Sequence, residues 1–280
     1  MIDLHTHTTA SDGRCAPGEL VSRASEAGIT VLSVTDHDTL GACAASAAAC
    51  GLAGIVFVPG IEVTAVRDDR DVHVLAYFID PASSELQTFL DEQRHSRIVR
   101  VRRMIQQLTT LGLSLDADAI LQPAIDDPSR AAGRPWIARA LVAAGYVATP
   151  DEAFRRWLDT GKPGYAPRVG PSLAEVVGIV HRAGGLTSLA HPILVRHDEW
   201  IAGFVESGLD AIEAYHSDHD AFATRRYVEM AARLGVAVTG GSDFHGDPSH
   251  GPSRPGSVSL PRADYDRLLT LVTSTDGTGR

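Results

Sequence analysis

Nine imidazole and carboxylate side chains in this 280-residue sequence close, or lie inside, short apolar runs: His5, His7, Asp12, His37, Glu62, His73, His191, Asp243 and His245. His5 and His7 form a His-Thr-His triplet after the first apolar run. On extended backbone, residues i and i+2 point the same way, so both rings can reach one ion. Asp12 follows in a Ser-Asp-Gly turn, and His37 in Thr35-Asp36-His37-Asp38. Glu62 stands among apolar neighbours, where a carboxylate must be neutral or paired, and a cation supplies the pairing. His73, taken alone, reads more readily as a core histidine bonded to backbone. His191 opens a His-Pro step, and Asp243 and His245 sit in Gly240-Gly241-Ser242-Asp243-Phe244-His245. Nine such donors exceed the needs of one ion and, with a bridging carboxylate, suit two or three. The three cysteines, Cys15, Cys43 and Cys50, lack the spacing of a thiolate site. Oxygen and imidazole donors without sulfur fit manganese, zinc or iron better than a cysteine-type structural zinc.

Such donors need a scaffold that delivers six strand ends to one rim. The apolar pattern predicts strands at 2–4, 30–34, 55–58, 61–66 and 72–79, then at 186–190, 211–214 and 236–239. Helical patterns intervene at 17–27, 40–49, 173–182, 200–207 and 221–234. Alternation of this kind argues for an α/β fold, a parallel sheet or barrel, whose sites lie at strand C-terminal ends. The middle differs. Leu86, Phe89, Leu90, Ile98, Val101, Ile105 and Leu108 recur at three- and four-residue steps, and further helices fit 135–144 and 150–158. Charge shifts there too: residues 85–165 carry 11 basic and 10 acidic side chains, against 14 and 25 in the remainder. The expected organisation is a discontinuous α/β body, 1–82 with 166–280, interrupted by an all-helical insert or lid at 83–165. The tail after Val272 is expected to fray.

Hydrophobic residues at 44% and charged residues at 21% describe an ordinary globular chain. A net charge of -10 denies it the basic field that grips long duplex nucleic acid, though a few local cations can still hold a small phosphorylated substrate. No run approaches the roughly 20 apolar residues of a membrane span, and no signal-like leader is visible. A cytoplasmic enzyme without a membrane or an obligate protein partner is the expectation. Among 25 basic residues only one is lysine, Lys162.

Taken together, His5-Thr-His7, Asp12-Gly13, Thr35-Asp36-His37-Asp38, Gly60-Ile61-Glu62, His191-Pro192 and Ser242-Asp243-Phe244-His245 resemble the motifs of the PHP superfamily (polymerase and histidinol phosphatase), all present and in order. The resemblance implies a distorted (β/α)7 barrel with two or three divalent ions, manganese first and zinc, iron or magnesium as alternatives, and phosphoester hydrolysis. It implies that His5, His7, Glu62 and Asp243 hold one ion, Glu62, His73 and His191 a second, and Asp12, His37 and His245 a third. Some members carry histidine at the position of Asp12. The insert is similar to that of a subgroup acting on 3′,5′-nucleoside bisphosphates, some of which trim short RNA from the 5′ end. Gly133-Arg134-Pro135-Trp136 and Thr160-Gly161-Lys162-Pro163-Gly164-Tyr165 carry that likeness. It points to Arg134 and Lys162 as phosphate contacts. The subgroup often has histidine where this chain has Trp136, which implies a lost contact or one replaced by stacking.

The residues themselves support parts of this. Arg134 precedes Pro135 at an expected helix start, where guanidinium and helix N-terminus can both meet phosphate. Lys162 lies between turn residues, from which a point charge can approach closely. His219, in Tyr215-His216-Ser217-Asp218-His219 after an expected strand, is a further candidate substrate contact. Arg94, Arg97, Arg100, Arg102 and Arg103 fall on more than one helix face and read as mostly solvated. His95, His181, His197 and His250 read as surface or helix residues. The mechanism expected is in-line attack by a hydroxide held by the metal ligands, since clustered divalent ions depress the pKa of bound water. Alternatives are a phosphatase for another metabolite such as histidinol phosphate, a metal-dependent amidohydrolase, and a non-enzymatic metal-binding module. No nucleophile elbow, Walker loop or dinucleotide fingerprint competes.

Overall fold

The structure is a computed structural model that describes residues 1–247 and 251–275; His250 lies outside them. Seven strands pair in sequence order: β1 (Ile2–Asp3), β2 (Val31–Val34), β3 (Val56–Arg67), β4 (Arg70–Tyr77), β5 (Leu186–Leu189), β6 (Ala211–Tyr215) and β7 (Ala237–Gly240). The sheet curls until its edges meet: Leu4 N–H donates to the Gly240 carbonyl at 3.2 Å, and Thr6 bridges Phe244. All neighbours are parallel except around β4, which runs against both β3 and β5.

The two strands expected at 55–58 and 61–66 are one. Pro59-Gly60 reads as a break, but Pro59 falls at the last β2–β3 pair, and Gly60 lets β2 come close. A Cβ at Gly60 would lie 2.2 Å from Ser33 Oγ. Asp68 and Asp69, both at positive φ, make a two-residue turn that sends β4 back along β3. Paired residues share a face, so Glu62 and Thr64 of β3 lie beside Leu75 and His73 of β4 inside the barrel. Ile61, Val63, Ala65, Val72, Val74 and Ala76 point outward into the main apolar core. His73 therefore reaches the rim from the first half of an antiparallel strand, not from a strand's C-terminal end as parallel alternation suggests.

Helices wrap the sheet. α1 (Pro17–Glu26) and α2 (Cys43–Ala53) cover its first strands, and the three cysteines are buried and unpaired. Between β4 and β5 come α3 (Ser84–Thr110), α4 (Ala117–Asp126), α5 (Arg134–Ala143) and α6 (Pro150–Ala153), which continues as a π turn to Leu158. These helices bury a core of their own around Met104, Leu108, Leu121, Ile137, Leu141 and Leu158. α4 escapes the apolar pattern because it is short and carries Pro123; Asp116 caps it by accepting from the N–H groups of Asp118 and Ala119. After α7 (Leu173–Arg182), α8 (Pro192–Val195), α9 (Ile201–Glu206) and α10 (Ala221–Leu234), the chain ends in α11 (Arg262–Thr275). Of the tail expected to fray after Val272, residues 273–275 continue the helix, which Tyr265 and Leu268 anchor beneath Ile2, Leu4 and Leu75, and residues 276–280 lie outside the described residues. Among the described residues no helix is long and apolar enough to cross a membrane.

Candidate metal centre

All nine predicted donors meet at one rim of the barrel. Glu62, fully buried, is their hub. Its Oε2 lies 3.4 Å from His5 Nε2, 3.3 Å from His7 Nε2 and 3.0 Å from His37 Nδ1. Its Oε1 lies 2.8 Å from His73 Nδ1 and 3.1 Å from His191 Nε2. Asp243 Oδ1 completes the first group at 3.2 Å from His5 Nε2 and 3.1 Å from His7 Nε2. Asp12 holds the far side, 3.4 Å from His37 Nε2 and 3.2 Å from His245 Nε2. The grouping departs from the expected sets: His216 joins His5 and Asp243, and His191 falls in none of the groups. His7 also faces the Asp12, His37 and His245 group, and His37 joins Glu62 and His73.

These separations carry a physical message. Two atoms bound to one ion at about 2.1 Å and 90–109° sit about 3.0–3.4 Å apart. Both ring nitrogens of His7, with Nδ1 of His37, His73 and His191, are buried without a hydrogen-bond partner. Lone pairs that aim at shared space rather than at one another fit cations. The electrostatics agree. Burial opposes ionisation of Asp12, Glu62 and Asp243, yet the surrounding imidazoles hold all three carboxyls well below their usual range. Burial also works against a charge on His7, but the Glu62 and Asp243 carboxylates 3.3 and 3.1 Å from its Nε2 outweigh it and lift the ring to about 10, so without an ion a proton takes the place that those carboxylates prepare for a cation. At His73 burial wins, bringing it to about 4, so that imidazole is neutral near pH 7 and keeps a free lone pair.

Loops bring the donors in, and each has a local cause. Asp36 accepts from Thr8 N–H, Thr8 Oγ1 and Ser11 Oγ, which shapes the turn carrying Asp12. Asp3 accepts from the N–H groups of His5, Ser242 and Gly256 and from Ser242 Oγ, which ties β1 to the Asp243 loop. A Cβ at Gly241 would stand 2.3 Å from His5 N, so only glycine lets those segments meet.

Beside the cage open two cavities, of about 420 and 160 Å³, whose walls share Asp71, His73 and Arg134. Arg134 starts α5 as expected, and its Nη2 reaches Asp71 Oδ2 at 3.4 Å. Lys162 stands exposed on the turn two residues beyond Thr160, a wall residue of the larger cavity, and does not itself line it. His219 Nδ1–H donates to the Ala214 carbonyl and its ring packs between His216 and Tyr227, which leaves its Nε2 buried with no hydrogen-bond partner. Trp136 is buried, with its indole N–H donating to the Ser11 carbonyl at 2.9 Å. It therefore braces the Asp12 turn and offers no face for stacking.

Residues 3–115 match the PHP domain model. Over 251 residues the chain is 35% identical to the 3′,5′-nucleoside bisphosphate phosphatase of Chromobacterium violaceum, covering 87% of each. The chain belongs to the PHP domain family. The 5′-3′ exoribonuclease Rnm of Salmonella typhimurium is 31% identical over 252 residues, 87% of this chain and 84% of the relative. The whole PHP fold superposes, at a TM-score of 0.85 and 32% identity over 96% of both chains, on a Chromobacterium violaceum protein named an amidohydrolase and solved with bound sulfate and no metal. A Bifidobacterium adolescentis protein provisionally assigned as a metal-dependent phosphoesterase matches equally, over 96% of this chain and 95% of its own. This PHP protein is a metal-dependent hydrolase of phosphoesters.

Three parts of the PHP site escape sequence reasoning. Glu213 on β6 is fully buried; His5 Nδ1–H donates to its Oε1 at 2.9 Å and His191 N–H to its Oε2 at 2.7 Å. That first bond turns His5 Nε2 toward the cage. The signal was available, since Ala-Ile-Glu-Ala repeats the setting of Glu62 in Gly-Ile-Glu-Val. Glu213→Gln is expected to weaken metal affinity about 10–100-fold, read by titrating metal into the stripped variant; wild-type affinity would remove the orienting role. His216 is the second: its Nδ1 accepts from Asp218 N–H, so Nε2 carries the proton and meets Asp243 Oδ2 at 3.3 Å.

The arginines of α3 are the third, and here the solvated reading is overturned for two of the five. Arg97 Nε donates to Asp38 Oδ2 at 2.6 Å, joined there by Arg168 Nη2 at 2.7 Å. Arg100 Nη1 donates to Asp71 Oδ2 at 2.8 Å. A long helix lying on a barrel buries the face it lies on, whatever its charge, and partners on the barrel make that tolerable.

Proposed function

We propose that this enzyme removes the 3′-phosphate of 3′,5′-nucleoside bisphosphates and trims short RNA from the 5′ end at the same site. One observation carries the reading: the cage abuts a cavity walled by guanidinium groups, so two different anion sites stand side by side. The curated relatives named for these two activities support it, and so does the neighbour that binds sulfate.

In this reading His5, His7, Glu62 and Asp243 hold one divalent ion, Glu62, His73 and His191 a second, and Asp12, His37 and His245 a third, with manganese the favoured metal in the cytoplasm. When bound, such ions polarise phosphoryl oxygens and bring the pKa of a coordinated water toward about 7. The protein's own groups do the rest. Glu213 and His216 orient ligands, Arg134 stabilises negative charge gathering on the phosphoryl oxygens, and Lys162 meets the substrate where it enters. His219, its Nδ1–H fixed on the Ala214 carbonyl, offers Nε2 to the substrate. The helical segment 83–165 serves as a lid over the barrel formed by 1–82 and 166–280, keeping water from the cavity.

The test is phosphate release with added manganese from 3′,5′-bisphosphoadenosine, adenosine monophosphate and histidinol phosphate. The bisphosphate should lead in kcat/KM by about tenfold or more, as expected when a polar site loses its partner group. Preference for histidinol phosphate would overturn the reading. C–N hydrolysis, which the amidohydrolase name of one neighbour raises, would show as turnover of amides without phosphate release. The chain's one lysine, exposed on the insert, offers that chemistry no bridging ligand at the barrel.

A further inference from the structure

The turn that carries Asp12 is held from outside the barrel. Four consecutive carbonyls, those of Thr9, Ala10, Ser11 and Asp12, each accept a hydrogen bond from the helical insert. Arg130 Nε donates to Thr9 at 2.9 Å and Ala131 N–H to Ala10 at 2.8 Å. From α5, Trp136 Nε1–H donates to Ser11 at 2.9 Å and Arg139 Nη1 to Asp12 at 3.2 Å. The barrel grips the same turn differently. Asp36 accepts from Thr8 N–H, Thr8 Oγ1 and Ser11 Oγ, and an acceptor cannot hold carbonyls. Ala10, Ser11 and Asp12 are only 9%, 2% and 7% exposed, so a carbonyl that loses its donor there finds little water to replace it.

The other donors are braced within the barrel itself. Glu62 and His73 stand on paired strands, Asp3 ties β1 to the Asp243 loop, and Glu213 accepts from His5 and from the His191 N–H. Asp12 thus belongs to the one donor group whose backbone is set by the insert. That group brings ligand atoms of His7, Asp12, His37 and His245 within 4.8 Å of one another. His7 Nδ1, 3.8 Å from Asp12 Oδ1, is buried with no hydrogen-bond partner, which suits a cation between them. The insert also walls this side of the cage: Pro135, Arg139, Pro150 and Phe154 face Asp12 and His245 across a cavity of about 130 Å³.

We propose that Trp136 and Arg139 are positioning residues for the cation held by Asp12, His37 and His245, and that this cation and the docked insert stabilise each other. The proposal rests on the reading that places a third ion at Asp12. The coupling is reciprocal: whatever factor docking adds to the ion's affinity, the ion adds to docking. A site complete only while the insert is docked loses affinity by the docked fraction, so this ion fills last. The two ions that share Glu62 bind without this dependence.

Stripped wild-type protein titrated with manganese should take up three equivalents. Amide hydrogen exchange over residues 130–143 should slow about fivefold or more at the third equivalent and little at the first two. Trp136→Phe keeps a buried ring and removes the N–H, and Arg139→Gln withdraws the donor from Asp12. In both variants the third equivalent should bind about tenfold or more weakly, with the first two unchanged and the exchange response reduced by half or more. A brace that is merely structural would lower Tm and leave all three affinities as in wild type, or weaken all three alike. Either result overturns the proposal. A wild type that binds only two equivalents would sink the third-ion reading, and the coupling with it.

Discussion

Glu62→Gln is expected to abolish activity, lowering kcat by about a thousandfold or more, and to cost the protein at least one bound metal equivalent. Both oxygens of this carboxylate are committed, Oε2 to His5, His7 and His37 and Oε1 to His73 and His191. Glutamine keeps the size but replaces one oxygen by a donor amide that no ion accepts. The change also removes a negative charge that balances the cations in a buried cage, where each electrostatic contact to the reacting group is worth about 10²–10³ in rate. Metal analysis after reconstitution, with turnover under saturating manganese, checks it. A variant that keeps its full metal complement and a tenth of its rate would show that Glu62 does not bridge.

Asp38→Asn should be the most destabilising conservative change in the chain. Arg97 and Arg168 both lean on this buried carboxylate, and its Oδ1 also accepts from Thr64 N–H. Neutralising it strands two guanidinium groups, and breaking a buried pair from one side costs about 3–5 kcal/mol, or about 6–15 °C in Tm for a domain of this size. Asparagine tolerates the positive φ that Asp38 adopts, so backbone strain adds little. Arg168→Met in the Asp38→Asn background should recover part of the loss, because only one unpaired cation then remains. A thermal shift under 2 °C, or no recovery in the double variant, would show that the guanidinium groups find their balance elsewhere. The pH dependence follows the same logic. Burial pushes the Asp38 carboxyl up, but Arg97 and Arg168 more than offset it and hold it below the usual range. Its stabilisation is therefore complete above the unfolded value of about 3.9 and is lost only as pH falls from there toward the lower folded value.

The two results bear on one architectural point. The insert is held to the barrel by side chains that also stand next to the chemistry. Trp136 donates to Ser11, Arg139 to the Asp12 carbonyl and Arg130 to the Thr9 carbonyl, all on the turn that carries Asp12. A helical segment docked this way transmits its position to the cage, so mutations in α5 are expected to act on the Asp12 side first.

Much of this was legible in the residues alone. The nine donors could be read because each breaks an apolar run with a group that burial makes expensive, and Pro17 and the residues of α10 mark element ends through local backbone chemistry, whereas the helix expected at 40–49 runs over Cys43–Ala53 and is capped by Gly54. Glu213 could have been read by the rule that found Glu62. Other features could not. Nothing local in Pro59-Gly60 says that β3 runs through it; that depends on Ser33 needing the space a side chain would fill. Nothing in the spacing of Arg97 and Arg100 says that Asp38 and Asp71 await them across the seam.

By itself, then, the order of amino acids determined which nine imidazole and carboxylate side chains gather at one rim, the strand and helix rhythm, the helical interruption and the class of chemistry. These rest on residue type, burial cost and periodicity, which act within a few positions of the chain. Only the tertiary structure decided how the donors divide among groups, that β4 turns back to deliver His73, that Lys162 faces solvent while Arg97, Arg100 and Arg168 go inside, and that Asp38 and Asp71 meet those arginines beside the cage. Those outcomes depend on which distant segments share a volume, and charge balance within a shared volume is a property no single stretch of the chain possesses.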